Sequence, residues 1–240
     1  MNSSGYLLCG FKLILLPGLR RFVILPLLIN TLVFTALIWS GVSQFNHLLT
    51  WLLSFLPSWR CWLEWLLWPL FVLLLLVVAF FSFSLVVNLI GAPFNGLLAE
   101  AVEQHLTGRN PAPQTWASFM KQLIPALFDE LRKILYFLLW SIPFLLLFLI
   151  PVINIVAPFV WMAFSAWVLA LQYLDYPMGN HGLSFSLQRQ TLQKKRLAAL
   201  SFGGATLVAT LIPVVNFLVM PAAVAGATAL WLEVFADNPS

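Results

Sequence analysis

The chain has 240 residues, 62% of them hydrophobic and only 8% charged, with twelve Lys and Arg against eight Asp and Glu for a net charge of +4. A soluble domain carries roughly 25% charged residues, so no water-soluble core can hide this much apolar surface. One compact membrane domain, 1–240, uses the whole length and leaves no stretch for a separate soluble domain.

The start, MNSSGYLLCGFKLILLPGLRRF, has no basic region ahead of its first apolar stretch and no clear small-residue cleavage site, so it reads as retained. Four runs free of charge follow, at 22–41, 65–99, 134–174 and 197–232. A crossing needs about 20 apolar residues. The first run fits one transmembrane helix; the second would extend about 52 Å as a single helix, so it must tilt, kink near Gly91-Ala92-Pro93 or emerge from the bilayer.

The third and fourth runs are each interrupted at the centre, by Ile150-Pro151-Val152-Ile153-Asn154 and by Ile212-Pro213-Val214-Val215-Asn216. Proline ends a helix and Asn tolerates turns, so each run is expected to form a helical hairpin. Pro158 and Pro221 follow at almost equal distance, and Trp167 and Trp231 close the second arms, which gives an internal repeat. The shorter arms reach only about 24–30 Å, which fits either tight transmembrane hairpins or pairs of helices that penetrate without emerging. The expected fold class is thus an all-α integral membrane protein with two long transmembrane helices and two Pro/Asn-centred hairpins.

Charge sets the orientation. The segments 12–21, 109–133 and 189–196 fall on one face in this topology and hold eleven of the twelve Lys and Arg, with only Arg60 opposite. The positive-inside rule makes that face cytoplasmic, with both termini inside and the 47–60 loop outside. Within 114–133, Phe119, Leu123, Leu127 and Leu131 recur every four residues while Lys121, Asp129, Glu130 and Lys133 lie elsewhere around the helix. Such a stretch is expected to lie on the membrane and feed the third run, and 6–16 has a similar character.

Enzyme chemistry is disfavoured. Cys9 and Cys61 fall on opposite faces, His47, His105 and His181 are scattered, and Gly91 and Gly96 lack the Lys of a phosphate-binding loop. Neither a metal nor a cofactor is expected.

The segment with chemical character is Pro17-Gly18-Leu19-Arg20-Arg21, directly before the first crossing. A helix starting near Gly18 would bring free N–H groups and a positive dipole end beside two guanidinium groups, a combination suited to a tetrahedral oxyanion. Arginines before a crossing also serve as topology anchors on lipid phosphate. The first 63 residues, however, contain no Asp or Glu. A donor-rich site without acceptors favours fully ionised sulfate over phosphate species that keep a proton.

PGLRRFVILPLLIN at 17–30, APFNGLLAE at 92–100, LDYPMGNH at 174–181 and MPAAVAGATALW at 220–231 together resemble the CysZ-type bacterial inner-membrane sulfate transporters, over nearly the whole chain. The resemblance implies sulfate uptake for assimilation into cysteine, two full transmembrane helices with two pairs of partly inserted helices, a homo-oligomer, and sulfate bound at Gly18, Leu19 and Arg20 with the adjacent Arg21. Rival readings are a transporter of sulfite, thiosulfate or molybdate, or a scaffold whose arginines hold lipid headgroups.

Other polar residues suggest weaker roles. Glu103 near His181 would make a gate or proton-sensitive pair, or simply a solvated surface. Asn30, Asn88 and Asn95 would line a path or join helices by hydrogen bonds of about 1 kcal/mol each. A dianion entering against an inside-negative potential of about 100 mV faces about 4.6 kcal/mol. With no ionisable group inside the uncharged runs, the expected route is channel-like and uncoupled, drained by sulfate consumption. Two crossings cannot enclose a hydrated anion, so that route is expected between protomers or along the hairpins, in contact with lipid.

Overall fold

The computed structural model describes residues 5–54, 61–108 and 116–236, apart from the side chains of 48–49, 52–53, 61–64, 78–93, 116–127 and 129–130. The expectations for Cys61, Asn88 and the Phe119-Leu123-Leu127 stripe concern side chains outside that description, and Arg60 and Arg109 lie outside it altogether.

The described chain is all helix: α1 (Gly5–Ile14), α2 (Arg21–Ser54), α3 (Cys61–Thr107), α4 (Trp116–Leu146), α5 (Ala157–Asn180), α6 (Phe185–Lys194), α7 (Arg196–Thr210) and α8 (Pro213–Leu230). Among the described residues four segments are long and apolar enough to cross a membrane: Arg21–His47, Leu131–Leu149, Ala157–Asn180 and Pro213–Phe235. No residue from Ile134 to Leu149 is buried. So long an apolar face would be untenable in water and is what lipid contact requires. This is an all-α membrane protein.

The long second run does not break at Gly91-Ala92-Pro93, since α3 continues through them for 47 residues. Its contour of about 70 Å is more than twice a hydrocarbon core. The amphipathic stretch before the third run is likewise not a separate element, because α4 continues from Trp116 to Leu146 without a cap between its two parts.

Two compact units make up the chain, one from Arg21 to Phe94 and the other from the residues up to Arg20 together with those from Asn95 onward. In the Arg21–Phe94 unit, α2 meets the first part of α3 through aromatic rings. Phe45 stacks on Phe71 with centroids 3.7 Å apart and meets the edge of Trp68 at 5.2 Å. Gly41 leaves room there, for a Cβ on it would touch Leu75 at 3.4 Å.

The other unit is built around α8, which is buried on all sides from Ala222 to Leu230. Small residues let backbones touch. A Cβ on Gly10 of α1 would overlap the Ala222 carbonyl oxygen and come within 2.7 Å of the Gly226 nitrogen, and one on Gly226 would overlap the Tyr6 carbonyl. Gly203 of α7 stands in the same relation to Ala166 of α5. Close packing of small residues is how helices associate where lipid removes the hydrophobic driving force. Tyr6, Leu7, Leu13 and Ile14 are buried, so α1 docks on α8 through one face and leaves Leu8, Lys12 and Leu15 exposed.

Both expected hairpins are present, but their breaks differ. The first takes Ile150 to Val156, with a 3-10 turn at Ile153–Ile155 and Val152 at φ 72°. The second takes only Leu211 and an extended Ile212, because Pro213 starts α8 at once with the φ a first helical residue needs. Asn154 therefore lies in the turn while Asn216 lies inside α8, its N–H donating to the Ile212 carbonyl at 2.8 Å. The repeat is one of helix, break, helix; its prolines and tryptophans do not share register. Pro158 opens α5 whereas Pro221 sits mid-α8, and Trp231 lies past the end of α8. At 15 residues α7 rises about 22 Å, short of a roughly 30 Å core.

Candidate anion-binding site

The α1–α2 connection is a compact turn. Pro17 has no N–H and stops continuation of α1. Gly18 follows at φ 96°, with nothing within 4 Å of where a Cβ would stand. That conformation favours glycine, and the open space leaves the peptide accessible. Leu19 is buried and pins the turn, while Arg20 is exposed.

The donors differ from the expected set. The N–H groups of Leu19 and Arg20 are both spent on the Leu16 carbonyl, at 3.1 and 3.2 Å. Helix α2 begins at Arg21 rather than near Gly18, so its unpaired first-turn N–H groups are those of Arg21, Phe22 and Val23. The reason is Pro17, which allows one tight turn centred on Gly18 before a helix can start. Leu19 thus acts as an anchor, and Arg20 and Arg21 each keep an exposed guanidinium as a donor. Arg20 ends one unit and Arg21 begins the other. The Arg21 guanidinium lies 4.9 Å from the centre of the Phe22 ring, and neither arginine has a carboxylate partner among the described residues.

A second polar cluster gathers near the C-terminal ends of α3 and α5, with the middle of α4 and the first turn of α6. The structure brings Glu103 and His181 together, with His181 Nε2 3.0 Å from both carboxylate oxygens. His181 caps α5, and its ring lies 5.9 Å from that of Trp231. Burial, and then the charge of Glu103, hold the neighbouring Glu100 carboxyl above its usual range. Asp175 accepts Lys133 Nζ at 2.7 Å and Gln188 Nε2 at 2.7 Å, tying α5 to α4 and α6. Asn180 donates to the Gly96 carbonyl at 3.0 Å, and Asn95 to the Tyr176 hydroxyl at 3.3 Å. Asn95 thus joins helices, one of its two expected roles. Asn30 is buried in α2, its Oδ1 without a partner among the described residues.

Sequence reasoning missed the tie between the chain ends. The Tyr6 hydroxyl donates to Glu233 Oε2 at 2.6 Å, and Lys195 Nζ donates to the Val234 carbonyl. Burial, the Glu233 hydrogen bond and the Glu233 charge push the Tyr6 phenol up to about 12. The usable signal was the run of small residues at 222–229, which marks a close helix interface. Among the described residues no three His, Cys, Asp or Glu gather to hold a metal.

A sequence model of the family described as Sulfate transporter CysZ/Etoposide-induced protein 2.4 matches residues 6–221. A protein named Sulfate transporter CysZ from Pseudomonas aeruginosa (strain LESB58) is 46% identical over 234 residues, covering 97% of this chain and 95% of its own length. Its namesake from Pseudomonas fluorescens (strain Pf-5) is 47% identical with 97% and 94% covered. That from Pectobacterium atrosepticum is 44% identical over 233 residues, with 97% and 85% covered. The chain belongs to the Sulfate transporter CysZ/Etoposide-induced protein 2.4 family.

Proposed function

We propose that the protein carries sulfate across the bacterial inner membrane to supply assimilation into cysteine, and that it is a transporter rather than an enzyme. The observation that carries this reading is 46% identity, over 97% of the chain, to a protein named as a sulfate transporter. Sulfate is favoured over the other oxyanions, and transport over a scaffold, on the same ground.

In this reading Arg20 and Arg21 capture the anion at the turn formed by Gly18 and Leu19, with the positive end of α2 adding its field. The absence of Asp and Glu from the first 63 residues supports a fully ionised dianion as cargo. The whole chain forms one membrane domain with both termini cytoplasmic, as eleven of twelve Lys and Arg on one face favour. Transport is uncoupled, and the path runs between protomers of a homo-oligomer or beside the hairpins. Glu103 and His181, paired only ionically when His181 is protonated, gate its cytoplasmic end.

Thermal unfolding of purified protein at constant ionic strength tests the site. Sulfate should raise the midpoint for the parent and not for Arg20→Ala, with thiosulfate and molybdate weaker. A sulfate shift retained in Arg20→Ala would remove that residue from the site, and an equal response to every divalent oxyanion would remove the selectivity.

A further inference from the structure

Away from the α1–α2 turn, a cavity of about 300 Å³ opens between α4, α5 and α7. Its wall is aromatic: Tyr136, Trp140 and Phe144 follow at four-residue spacing along α4, facing Trp167 and Phe164 of α5. The hairpin fixes which end is polar. Phe144 pairs with Phe164 at 4.6 Å towards the hairpin tip, while at the other end the Trp167 indole N–H donates to the Tyr136 hydroxyl at 3.2 Å. Tyr136 also meets Phe185 of α6, which brings the polar end beside Gln193 and Arg196, the residues that flank the start of α7.

We propose that this cavity binds one anionic glycerophospholipid per chain, its phosphate on Arg196, Gln193 and the Tyr136 hydroxyl and its acyl chains leaving along Phe144 and Phe164. Three observations point to that occupant. The aromatic wall belongs to Leu131–Leu149 and Ala157–Asn180, two segments able to cross the membrane, so the open side of the cavity faces lipid. Donors converge at the polar end without an acid to oppose them. Because Tyr136 accepts from Trp167, its own proton is available, and Arg189 backs the ring at 5.3 Å with its Nε buried and unpartnered. Helix α7 has no side-chain cap, and while the Ala198 and Ala199 N–H groups donate to the Lys195 carbonyl, those of Arg196 and Leu197 and the positive dipole end are left for the headgroup.

Neither Arg189 nor Arg196 has a carboxylate partner among the described residues. The charge therefore selects an anionic headgroup over a zwitterionic one. A free oxyanion would satisfy Arg196 yet make no contact with Trp140, Phe144 and Phe164, which is why the lipid is preferred to a second site for free sulfate or phosphate.

Native mass spectrometry of the full chain in detergent tests this, titrating phosphatidylglycerol, phosphatidylcholine of the same acyl chains, or inorganic phosphate at matched ionic strength. We expect one retained phosphatidylglycerol per chain, about tenfold tighter than phosphatidylcholine and about tenfold weaker in Arg196→Gln, the scale of one charge-assisted contact. Arg196 is exposed, so this variant keeps the fold. Trp140→Ala should weaken both lipids together, since it removes wall and not charge. Equal phosphatidylglycerol retention in Arg196→Gln, phosphatidylcholine binding as tightly as phosphatidylglycerol, or phosphate displacing the lipid completely at low concentration would each overturn the assignment.

Discussion

Replacing Gly10 by Ala tests whether the N-terminal helix docks on α8. The new Cβ would stand 2.7 Å from the Gly226 nitrogen and 2.9 Å from the Ala222 carbonyl carbon, both backbone atoms with no rotamer to yield. The helices must move apart, and overpacking of this kind costs about 1–3 kcal/mol. Alanine's better helix propensity offsets up to about 1 kcal/mol of that, leaving a net loss of up to about 2 kcal/mol. For a chain of this size each kcal/mol corresponds to about 2–4 °C in the unfolding midpoint. Gly204→Ala is the internal control, because nothing lies within 4 Å of its Cβ position. It keeps the propensity gain alone and should raise the midpoint. Unfolding in detergent followed by circular dichroism should therefore move in opposite directions for the two variants. A Gly10→Ala protein as stable as Gly204→Ala would refute the docking of α1 on α8.

Other outcomes follow from the same geometry. Gly18→Ala forces an L side chain to φ 96° at about 1–2 kcal/mol, and should weaken the sulfate-induced thermal shift although the added methyl meets no neighbour. Asp175→Ala removes the acceptor shared by Lys133 and Gln188 and should lower stability by about 1.5–3 kcal/mol in urea or thermal unfolding, the value of a hydrogen bond to a charged group. The Tyr6 phenol is raised to about 12 by burial and by Glu233. Its contribution is full below the ordinary tyrosine value of about 10 and is lost as pH rises through about 12. Tyr6→Phe should therefore flatten the loss of stability in that window. An ultraviolet titration of Glu233→Gln should show one phenol ionising at lower pH than in the parent.

What the sequence made legible was the part governed by one-dimensional rules. The uncharged runs at 22–41, 134–174 and 197–232 coincide with the four segments able to cross the membrane among the described residues, and Pro151 and Pro213 located both hairpin breaks. The register of the repeat was not legible, because a proline only forbids continuation. Whether the next helix starts at once, as at Pro213, or after a turn through Val152 depends on what the loop packs against. The start of α2 was not legible either: a helix was expected to begin near Gly18, where the chain instead makes a turn. The spacing could not say that Pro17 would spend the Leu19 and Arg20 N–H groups on Leu16 and delay α2 to Arg21. Contacts such as Tyr6 with Glu233 join residues at opposite ends of the chain, and a single sequence carries no local signal for them.

The most direct test of the central claim is uptake of labelled sulfate into proteoliposomes holding the purified protein, compared with Arg20→Ala/Arg21→Ala at equal reconstitution and with empty vesicles. Uptake by the parent that falls to the empty-vesicle level in the double variant is the predicted result. Uptake unchanged in the double variant, or a parent no better than empty vesicles, would contradict the account.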